Sequence, residues 1–162
     1  MLIEIKGDIT ELDDVKYICH QCNCVSTGKS AGLAKFIFDK FPYANTYRKR
    51  DPENARTRSK PGTIEIMGDG SKFKRYVINL YAQYYPGLPQ YETDSVTKRE
   101  EWMKQCLAQI YNMRDKLESI AFPKKIGCAI AGGNWDHYYG FIKKLALHIP
   151  KAKVYIVDFN KE

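Results

Sequence analysis

In the first third of the chain, a short apolar segment is followed by a glycine-bearing loop and then by a segment of helical periodicity. Residues 15–22 are largely apolar, and the loop 23–32 that follows consists mainly of small and polar residues. Leu33, Ile37 and Phe41 then share one helical face. This order predicts a strand, a loop and a helix, which is the repeating unit of α/β folds.

The same order returns in the last third of the chain. Residues 119–122 form an apolar, strand-like segment, and the loop 123–133 that follows contains three glycines. Asn134 is placed to cap a helix over residues 134–147. The sequence therefore predicts two glycine-bearing loops, each joining a strand to a helix.

The remaining segments complete a mixed sheet of about six strands that is covered on both faces. Further strands are predicted over residues 2–6, 63–67, 76–81 and 154–157, with the middle two as a hairpin, and the longest helix over residues 97–117. Residues 84–91 contain two prolines and are predicted as a loop. Open α/β sheets bind ligands beyond the carboxyl ends of their strands, so the site is expected at the loops after Cys22, Tyr81 and Phe122.

Chain length and composition indicate one globular domain over residues 1–162. A chain of 18.7 kDa buries about 69% of its unfolded surface, which is enough for a core that needs no staples. No apolar run reaches a membrane-spanning length, and the first residues lack a basic region followed by an apolar stretch. We therefore expect a cytoplasmic protein, with the nucleus as a further compartment, and a monomer without a membrane partner.

The net charge of +7 is concentrated in the segment from Arg48 to Lys60. A basic surface favours phosphate-bearing or polyanionic partners. The alternative interpretation is a solvated basic face without a partner.

The two glycine-bearing loops are candidate phosphate sites. Free backbone amides at the start of a helix, together with glycines that let the backbone approach, suit phosphate oxygens. Lys29 adds a positive charge to the first loop, whose spacing does not match a Walker loop. Two such loops in one small domain favour a diphosphate ligand, whereas either alone could be a structural turn.

His20 and the cysteines raise the alternatives of a metal or redox site. The odd number of cysteines (Cys19, Cys22, Cys24, Cys106 and Cys128) excludes a complete disulfide framework without a partner chain and fits a reducing cytosol. Side chains alternate along a strand, so Cys19 is predicted to point away from His20 and Cys22. We expect buried thiols and no metal, with His20 either a structural residue or an acid, base or hydrogen-bonding group.

The motifs taken together resemble the macrodomain (A1pp) family. They are residues 7–10 (GDIT), 20–24 (HQCNC), the loop and helix start at 28–34, residues 122–123 (FP), 126–128 (IGC) and Trp135. The pattern is most similar to small macrodomains of the ADP-ribose 1''-phosphate phosphatase and terminal ADP-ribose protein glycohydrolase types. The resemblance implies a three-layer α/β/α sandwich with a central mixed six-stranded sheet and a site for ADP-ribose.

The resemblance also implies roles for individual residues. Asp8 would hold the adenine amino group with help from the Ile9 amide, Asn23 would hydrogen-bond the distal ribose, and Phe159 would stack on adenine. His20 coincides with the histidine of the phosphatase-like members and is, with Asn23, the expected catalytic residue. The backbone that wraps the ribose and phosphates would come from Gly28, Lys29, Ser30, Ala31, Gly32 and Leu33 on one side and from Gly127, Cys128, Ala129, Ile130, Ala131, Gly132, Gly133 and Asn134 on the other.

Several family features are missing from this chain. The glycohydrolase-like members have a lysine nucleophile after the fourth strand and an aspartate in the second loop, where this chain has residues 80–83 (LYAQ) and 130–132 (IAG). The triple-glycine run of many mono-ADP-ribosyl hydrolases is also missing. A lysine adduct at those positions is therefore not expected.

The first functional hypothesis is an ADP-ribose-binding hydrolase that removes a phosphate or ester from the 1'' end of ADP-ribose, without a cofactor. The alternatives are a non-catalytic reader of ADP-ribose or of ADP-ribosylated proteins, and a mono-ADP-ribosyl protein hydrolase. A binder of single-stranded nucleic acid is ranked last. It is suggested by the basic segment and by the aromatic residues between Tyr81 and Tyr91.

Overall fold

The computed structural model describes residues 1–69 and 75–159 as one six-stranded sheet with helices on both faces. The strands are β1 (Leu2–Lys6), β2 (Tyr17–Gln21), β3 (Ile64–Met67), β4 (Tyr76–Leu80), β5 (Ser119–Pro123) and β6 (Lys153–Asp158), and the helices are α1 (Gly32–Lys40), α2 (Thr46–Lys49), α3 (Val96–Asn112) and α4 (Trp135–His148). Short 3-10 turns cover Ile9–Glu11, Pro42–Ala44, Ala55–Thr57 and Arg114–Lys116. Within this part of the chain, no helix is both long and apolar enough to cross a membrane.

The strand order is β1-β6-β5-β2-β4-β3. All neighbouring strands are parallel except β3, which pairs antiparallel with β4 and confirms the predicted hairpin. A parallel neighbour requires a crossover connection, and α1, α3 and α4 lie in these connections after β2, β4 and β5. The carboxyl ends of β2, β4, β5 and β6 therefore meet at one edge, where the loops after them converge.

Each face of the sheet has its own core, which confirms the three-layer α/β/α arrangement. One core packs α3 and α4 against Cys19 and its neighbours, and the other packs α1 and α2 against Ile18 and Cys22. Alternation along β2 separates these side chains, as the sequence predicted for Cys19 and Cys22. The strand therefore sends His20 to the α1 face and Gln21 to the opposite side.

The longest helix ends five residues earlier than predicted. It stops at Asn112, where Met113 leaves helical geometry and its amide bonds back to Ile110 and Tyr111. A 3-10 turn follows, and Leu117 is fully buried after it. The apolar spacing that predicted a continuous helix thus extends through a turn of tighter pitch, because both place residues three to four apart on the same side.

Candidate functional site

A cleft of about 150 Å³ lies at the carboxyl end of β2, between the start of α1 and the loop after β5. Its lining consists of His20, Gln21, Leu33, Gln83, Pro123, Lys124, Lys125, Ile126, Gly127, Cys128, Ala129 and Ala131. The structure thus brings the end of β2, the first turn of α1 and the loops after β4 and β5 to one place, at the edge expected for an open α/β sheet. We call residues 23–32 the first loop and residues 127–134 the second loop.

The lining of the cleft carries positive charge. Lys124 and Lys125 follow β5 directly, and both are exposed. Lys124 Nζ lies 3.4 Å from a carboxylate oxygen of Asp158, and no carboxylate belongs to the lining within the described residues. Sequence analysis did not single out these two lysines, although their position at the start of a predicted phosphate loop was a usable signal. The cleft therefore suits an anionic ligand.

Asn23 closes the first loop on itself. Its Oδ1 accepts hydrogen bonds from the amides of Val25 and Ser26 at 3.0 and 2.8 Å, and its Nδ2 donates to Ser26 Oγ at 2.9 Å. The backbone amide of Asn23 donates to the hydroxyl of Tyr47. The side chain is buried and lies outside the lining of the cleft, so in this structure Asn23 shapes the loop.

Arg50 donates hydrogen bonds to backbone carbonyls of the first loop. Its Nη1 donates to Ser26 O at 3.0 Å, and its Nη2 donates to Asn23 O at 2.9 Å and to Ser59 Oγ at 2.7 Å. The residue is 5% exposed, and its guanidinium lies 5.1 Å from the ring centre of Tyr47. Arg50 was predicted only as part of a basic surface. The structure corrects this, because the side chain is a buried support of the loop.

The rest of the first loop leads into α1 through two glycines with left-handed backbone. Gly28 (φ +99°) donates its amide to Tyr47 O at 2.9 Å, and Gly32 (φ +57°) opens the helix. Lys29, Ser30 and Ala31 lie between them, and of this stretch Leu33 reaches the lining of the cleft. Within the described residues, no side chain caps α1, whose N-cap position is Ala31. Its first-turn amides therefore lack a side-chain acceptor.

The second loop packs tightly at Gly127. This residue has φ +72°, and a methyl group there would collide with the ring of Tyr138 and with Gln21 Oε1. Gly133 donates its amide to Gly127 O at 2.9 Å, and Gly132 donates to Ala129 O at 3.1 Å. The loop is thus a closed turn whose glycines are required by space and backbone geometry. Ile130 at its tip is 68% exposed.

Asn134 ends the second loop and caps α4, as the sequence predicted. Its Oδ1 accepts hydrogen bonds from the amides of Asp136 at 2.9 Å and His137 at 3.4 Å. The first turn of α4 therefore has a side-chain acceptor, unlike that of α1.

Arg99 ties the second loop to the loop after β4. Its Nη1 donates to Ala131 O at 3.0 Å and to Gly87 O at 2.7 Å, and its Nη2 donates to Tyr85 O at 3.1 Å. Nε and Nη2 also donate to the carboxylate of Asp94 at 2.9 and 2.7 Å. Both side chains of this ion pair are almost fully buried. Sequence analysis missed the pair, because nothing in a helical sequence distinguishes a buried arginine from an exposed one.

The carboxylate of Asp94 is saturated with donors. Besides Arg99, it accepts the amides of Tyr85 at 2.9 Å and Tyr84 at 3.1 Å. Burial alone would raise the pKa of Asp94, but the hydrogen bonds from Arg99 and from the two amides outweigh it, so the pKa lies below its usual value. The ion pair is therefore fully charged at neutral pH.

His20 lies beneath α1 and is 1% exposed. Its Nε2 is 2.6 Å from Asn79 Oδ1, and Asn79 Nδ2 donates to Ala44 O at 3.0 Å. Asn79 Oδ1 is thus the acceptor, Nε2 carries the proton, and Nδ1 keeps a lone pair. The ring packs edge-on against Phe38, and burial lowers the pKa of His20 to about 4. At neutral pH the ring is neutral and has no proton to donate beyond the one bound to Asn79.

Gln21 and Gln83 pair across the cleft. Gln21 Nε2 donates to Gln83 Oε1 at 2.7 Å, and Gln83 Nε2 donates to Tyr85 O at 2.9 Å. Gln21 Oε1 is a buried acceptor without a hydrogen-bond donor among the described residues. Gln83 lies in the stretch where the family resemblance expects a lysine. Neither glutamine was singled out from the sequence, although that missing lysine pointed to the region.

The cysteines are five free thiols. Four are buried, and Cys128 is half-buried in the second loop. Burial, followed by the charge of Glu100, raises the pKa of Cys128 to about 11, so the side chain is a thiol at neutral pH. In residues 1–69 and 75–159, no group of three His, Cys, Asp or Glu side chains is placed to hold a metal ion.

Asp8, Ile9 and Phe159 lie at the ends of the paired strands β1 and β6, beside β5. Asp8 Oδ1 accepts hydrogen bonds from the amide and hydroxyl of Thr10 at 2.9 and 2.7 Å, and Ile9 is buried. Phe159 is 52% exposed, with its ring centre 6.5 Å from that of Phe36. These two rings form an exposed aromatic pair near the residues predicted to hold adenine.

No family model matches the chain. An uncharacterized 17.5 kDa protein from the tk-vs intergenic region of Enterobacteria phage T4 is 27% identical over 166 residues, which cover 96% of this chain and 95% of that protein. The macrodomain of Mycobacterium tuberculosis DarG matches with a TM-score of 0.74 and 17% identity over 97% of both chains. A point mutant of the Oceanobacillus iheyensis macrodomain with ADPR matches with a TM-score of 0.68 and 19% identity over 98% of this chain and 84% of that one.

The motifs in the sequence imply the same fold as these solved structures, and the observed strand order agrees with it. The matches extend over nearly the whole chain, so they include the sheet, the helices on both faces and the loops around the cleft. The protein has the macrodomain fold.

Proposed function

We propose that the cleft binds ADP-ribose. The observation that carries this proposal is that the end of β2, the first turn of α1 and the second loop line one cleft, whose lining has two lysines and no carboxylate among the described residues. A solved macrodomain with ADPR has the same fold, which supports the choice of ligand. A dianionic diphosphate placed between two glycine-bearing loops would meet backbone amides and positive charge.

The layout of the cleft suggests an orientation for the ligand. The diphosphate would lie against the second loop and the uncapped start of α1, near Lys125. Adenosine would extend toward Asp8 and Phe159, and the distal ribose toward Gln21 and Gln83. Gln21 Oε1 supports this placement, since a buried acceptor without a donor is stabilised by a ligand hydroxyl that reaches it.

Titration calorimetry with ADP-ribose tests the proposal. Gly127→Ala is expected to abolish binding, because the methyl group collides with Tyr138 and the backbone there is left-handed. Gly140→Ala is the matched control, since a methyl group on that glycine of α4 meets nothing within 4 Å. Lys125→Glu changes an exposed side chain and is expected to weaken binding about tenfold, or about 1.4 kcal/mol. Wild-type protein that shows no heat with ADP-ribose would contradict the proposal.

A second candidate is hydrolysis of a phosphate or ester from the 1'' end of ADP-ribose. Two observations near the second loop support this candidate. His20 belongs to the lining of the cleft, and Lys124 and Lys125 could stabilise negative charge on a departing phosphate. With a pKa of about 4, His20 would act at neutral pH as a weak base or as a hydrogen-bonding group.

Phosphate release from ADP-ribose 1''-phosphate tests this second candidate. A catalytic His20 predicts that His20→Gln loses turnover and keeps ADP-ribose binding. Equal turnover in the two proteins would remove His20 from the mechanism. Binding without any turnover would leave the reader of ADP-ribose or of ADP-ribosylated proteins, which needs only the cleft and its amides.

A further inference from the structure

An open groove of about 560 Å³ runs between α3 and α4. Its lining consists of Lys104, Leu107, Ala108, Tyr111, Phe141, Lys144, Leu145 and His148. The floor is apolar but little exposed, since Leu107 is 5% and Leu145 6% exposed, and Tyr111 at its edge is 36% exposed. Leu147 lies between the lining residues Leu145 and His148 in the sequence and is 72% exposed. An apolar groove with a partly exposed rim offers a surface that another molecule can cover.

The edges of the groove are positively charged. Lys104 Nζ lies 4.9 Å from the ring centre of Phe141, and the guanidinium of Arg114 lies 4.4 Å from that of Tyr111. Lys144 is the second lysine of the lining, which contains no carboxylate among the described residues. His148 Nδ1 donates to Lys144 O at 2.8 Å. The groove therefore combines an apolar floor with cationic edges.

The groove is separate from the ADP-ribose cleft. α4 begins at Trp135 beside the second loop, and the groove is lined by Phe141 to His148 on its later turns. At 1.5 Å per residue, these positions lie about 9 to 20 Å along the helix from its start. A molecule in the groove can therefore bind without entering the cleft, and this inference does not depend on the proposed function.

The positive charge at the edges of the groove helps to decide which kind of molecule can occupy it. A second copy of the chain, placed by a two-fold axis, would set Lys104 and Lys144 against the same lysines of a molecule that also carries +7. A flat bilayer surface does not fill a concave groove. An amphipathic helix fits both features, because its apolar stripe can lie on the floor while acidic residues at its sides face the lysines.

We propose that the groove between α3 and α4 docks an amphipathic helix of a partner protein, with apolar side chains in the groove and acidic side chains along its edges. Leu107, Phe141 and Leu145 form the floor that receives the apolar side chains. Lys104 and Lys144 pair with the acidic residues and set the orientation.

The probe for this proposal is a labelled, end-capped 15-residue peptide with leucine at positions of helical i, i+3, i+4, i+7 spacing and glutamate elsewhere, followed by fluorescence anisotropy. Saturable binding is expected. Ala108→Trp fills the groove and should weaken binding about tenfold or more, and the Lys104→Glu, Lys144→Glu double variant should do the same. Lys98→Glu, an exposed lysine at the start of α3, is the matched control and should bind like the wild type.

Three results would overturn the proposal. They are no saturable binding at millimolar peptide, equal binding of a peptide with lysine in place of glutamate, and unchanged binding by Ala108→Trp. A dimer in light scattering that Ala108→Trp dissociates would identify a second copy as the occupant instead. Binding to vesicles of anionic phospholipid, lost in the double variant, would identify a membrane surface. Circular dichroism and thermal denaturation of each variant check that it folds like the wild type.

Discussion

A buried arginine donates hydrogen bonds to backbone carbonyls of each of the two loops. The arginine of the second loop also forms an ion pair, whereas that of the first loop is bound by carbonyl and hydroxyl oxygens. Arg50 donates to Asn23 O, Ser26 O and Ser59 Oγ, and its Nε has no hydrogen-bond acceptor among the described residues. Arg99 donates to Ala131 O but also forms an ion pair with Asp94 at 2.7 Å. The first loop thus depends on carbonyl acceptors and aromatic packing, and the second on a buried carboxylate.

Because of this difference, we expect the two loops to lose different amounts of stability when their supporting side chain is removed. A buried ion pair that loses one partner leaves an uncompensated charge, whereas a guanidinium bound to carbonyls leaves only unsatisfied carbonyls when it is removed. The second loop is therefore expected to tolerate loss of its carboxylate less well than the first loop tolerates loss of its arginine.

The largest expected effect is that of Asp94→Ala. The substitution leaves the charge of Arg99 buried without its partner and should lower the free energy of unfolding by about 3 to 5 kcal/mol. Urea denaturation measures the change, with Asp115→Ala, an exposed aspartate, as the control. A loss below about 1 kcal/mol would show that the carbonyls around Arg99 suffice to neutralise it.

Acid should destabilise the protein in two steps. His20 has a folded pKa of about 4, below its unfolded value of about 6.5, so the unfolded chain binds the proton first and stability falls by about 3 kcal/mol between these pH values. The lowered pKa of Asp94 adds a loss only as the pH falls below about 3.8. Unfolding measured against pH should lose the first step in His20→Gln and keep it in His148→Gln.

Arg50→Met is expected to have a smaller effect than Asp94→Ala. It removes the guanidinium donor from one buried and one part-buried carbonyl of the first loop but creates no unpaired charge, so a loss of about 2 kcal/mol is expected. ADP-ribose affinity should fall with it, because Asn23 O and Ser26 O are no longer held. The exposed Arg48→Met provides the control. An effect equal to that of Asp94→Ala would erase the distinction between the two supports.

The smallest expected effects concern the two helix starts. Ala31→Ser gives α1 a cap and should stabilise the fold by about 0.5 to 1 kcal/mol, but the new acceptor competes with the ligand for the first-turn amides and should weaken ADP-ribose binding. Asn134→Ala should cost about 1 kcal/mol. Thermal denaturation and calorimetry measure both. Tighter ADP-ribose binding by Ala31→Ser would show that the start of α1 does not face the ligand.

Much of the architecture was accessible from the sequence because its signals are local. Apolar spacing predicted the helices, the glycines marked the two loops, and Asn134 was recognised as a cap from its place before a periodic segment. The edge of the sheet that holds the cleft followed from the order of strands and helices. The end of α3 was predicted five residues too late, also for a local reason, since a 3-10 turn keeps nearly the same apolar spacing.

The sequence by itself determined the order of strands, loops and helices, since backbone geometry and apolar periodicity act over a few residues. Only the tertiary structure decided that Arg50 and Arg99 are buried, that His20 is neutral beside Asn79, and that Gln21 faces Gln83. The partners in these contacts are distant in sequence, as with Arg99 and Ala131, which are 32 residues apart. Burial and pairing of a polar group depend on what the rest of the chain packs around it, and that information is not present in the residues beside it.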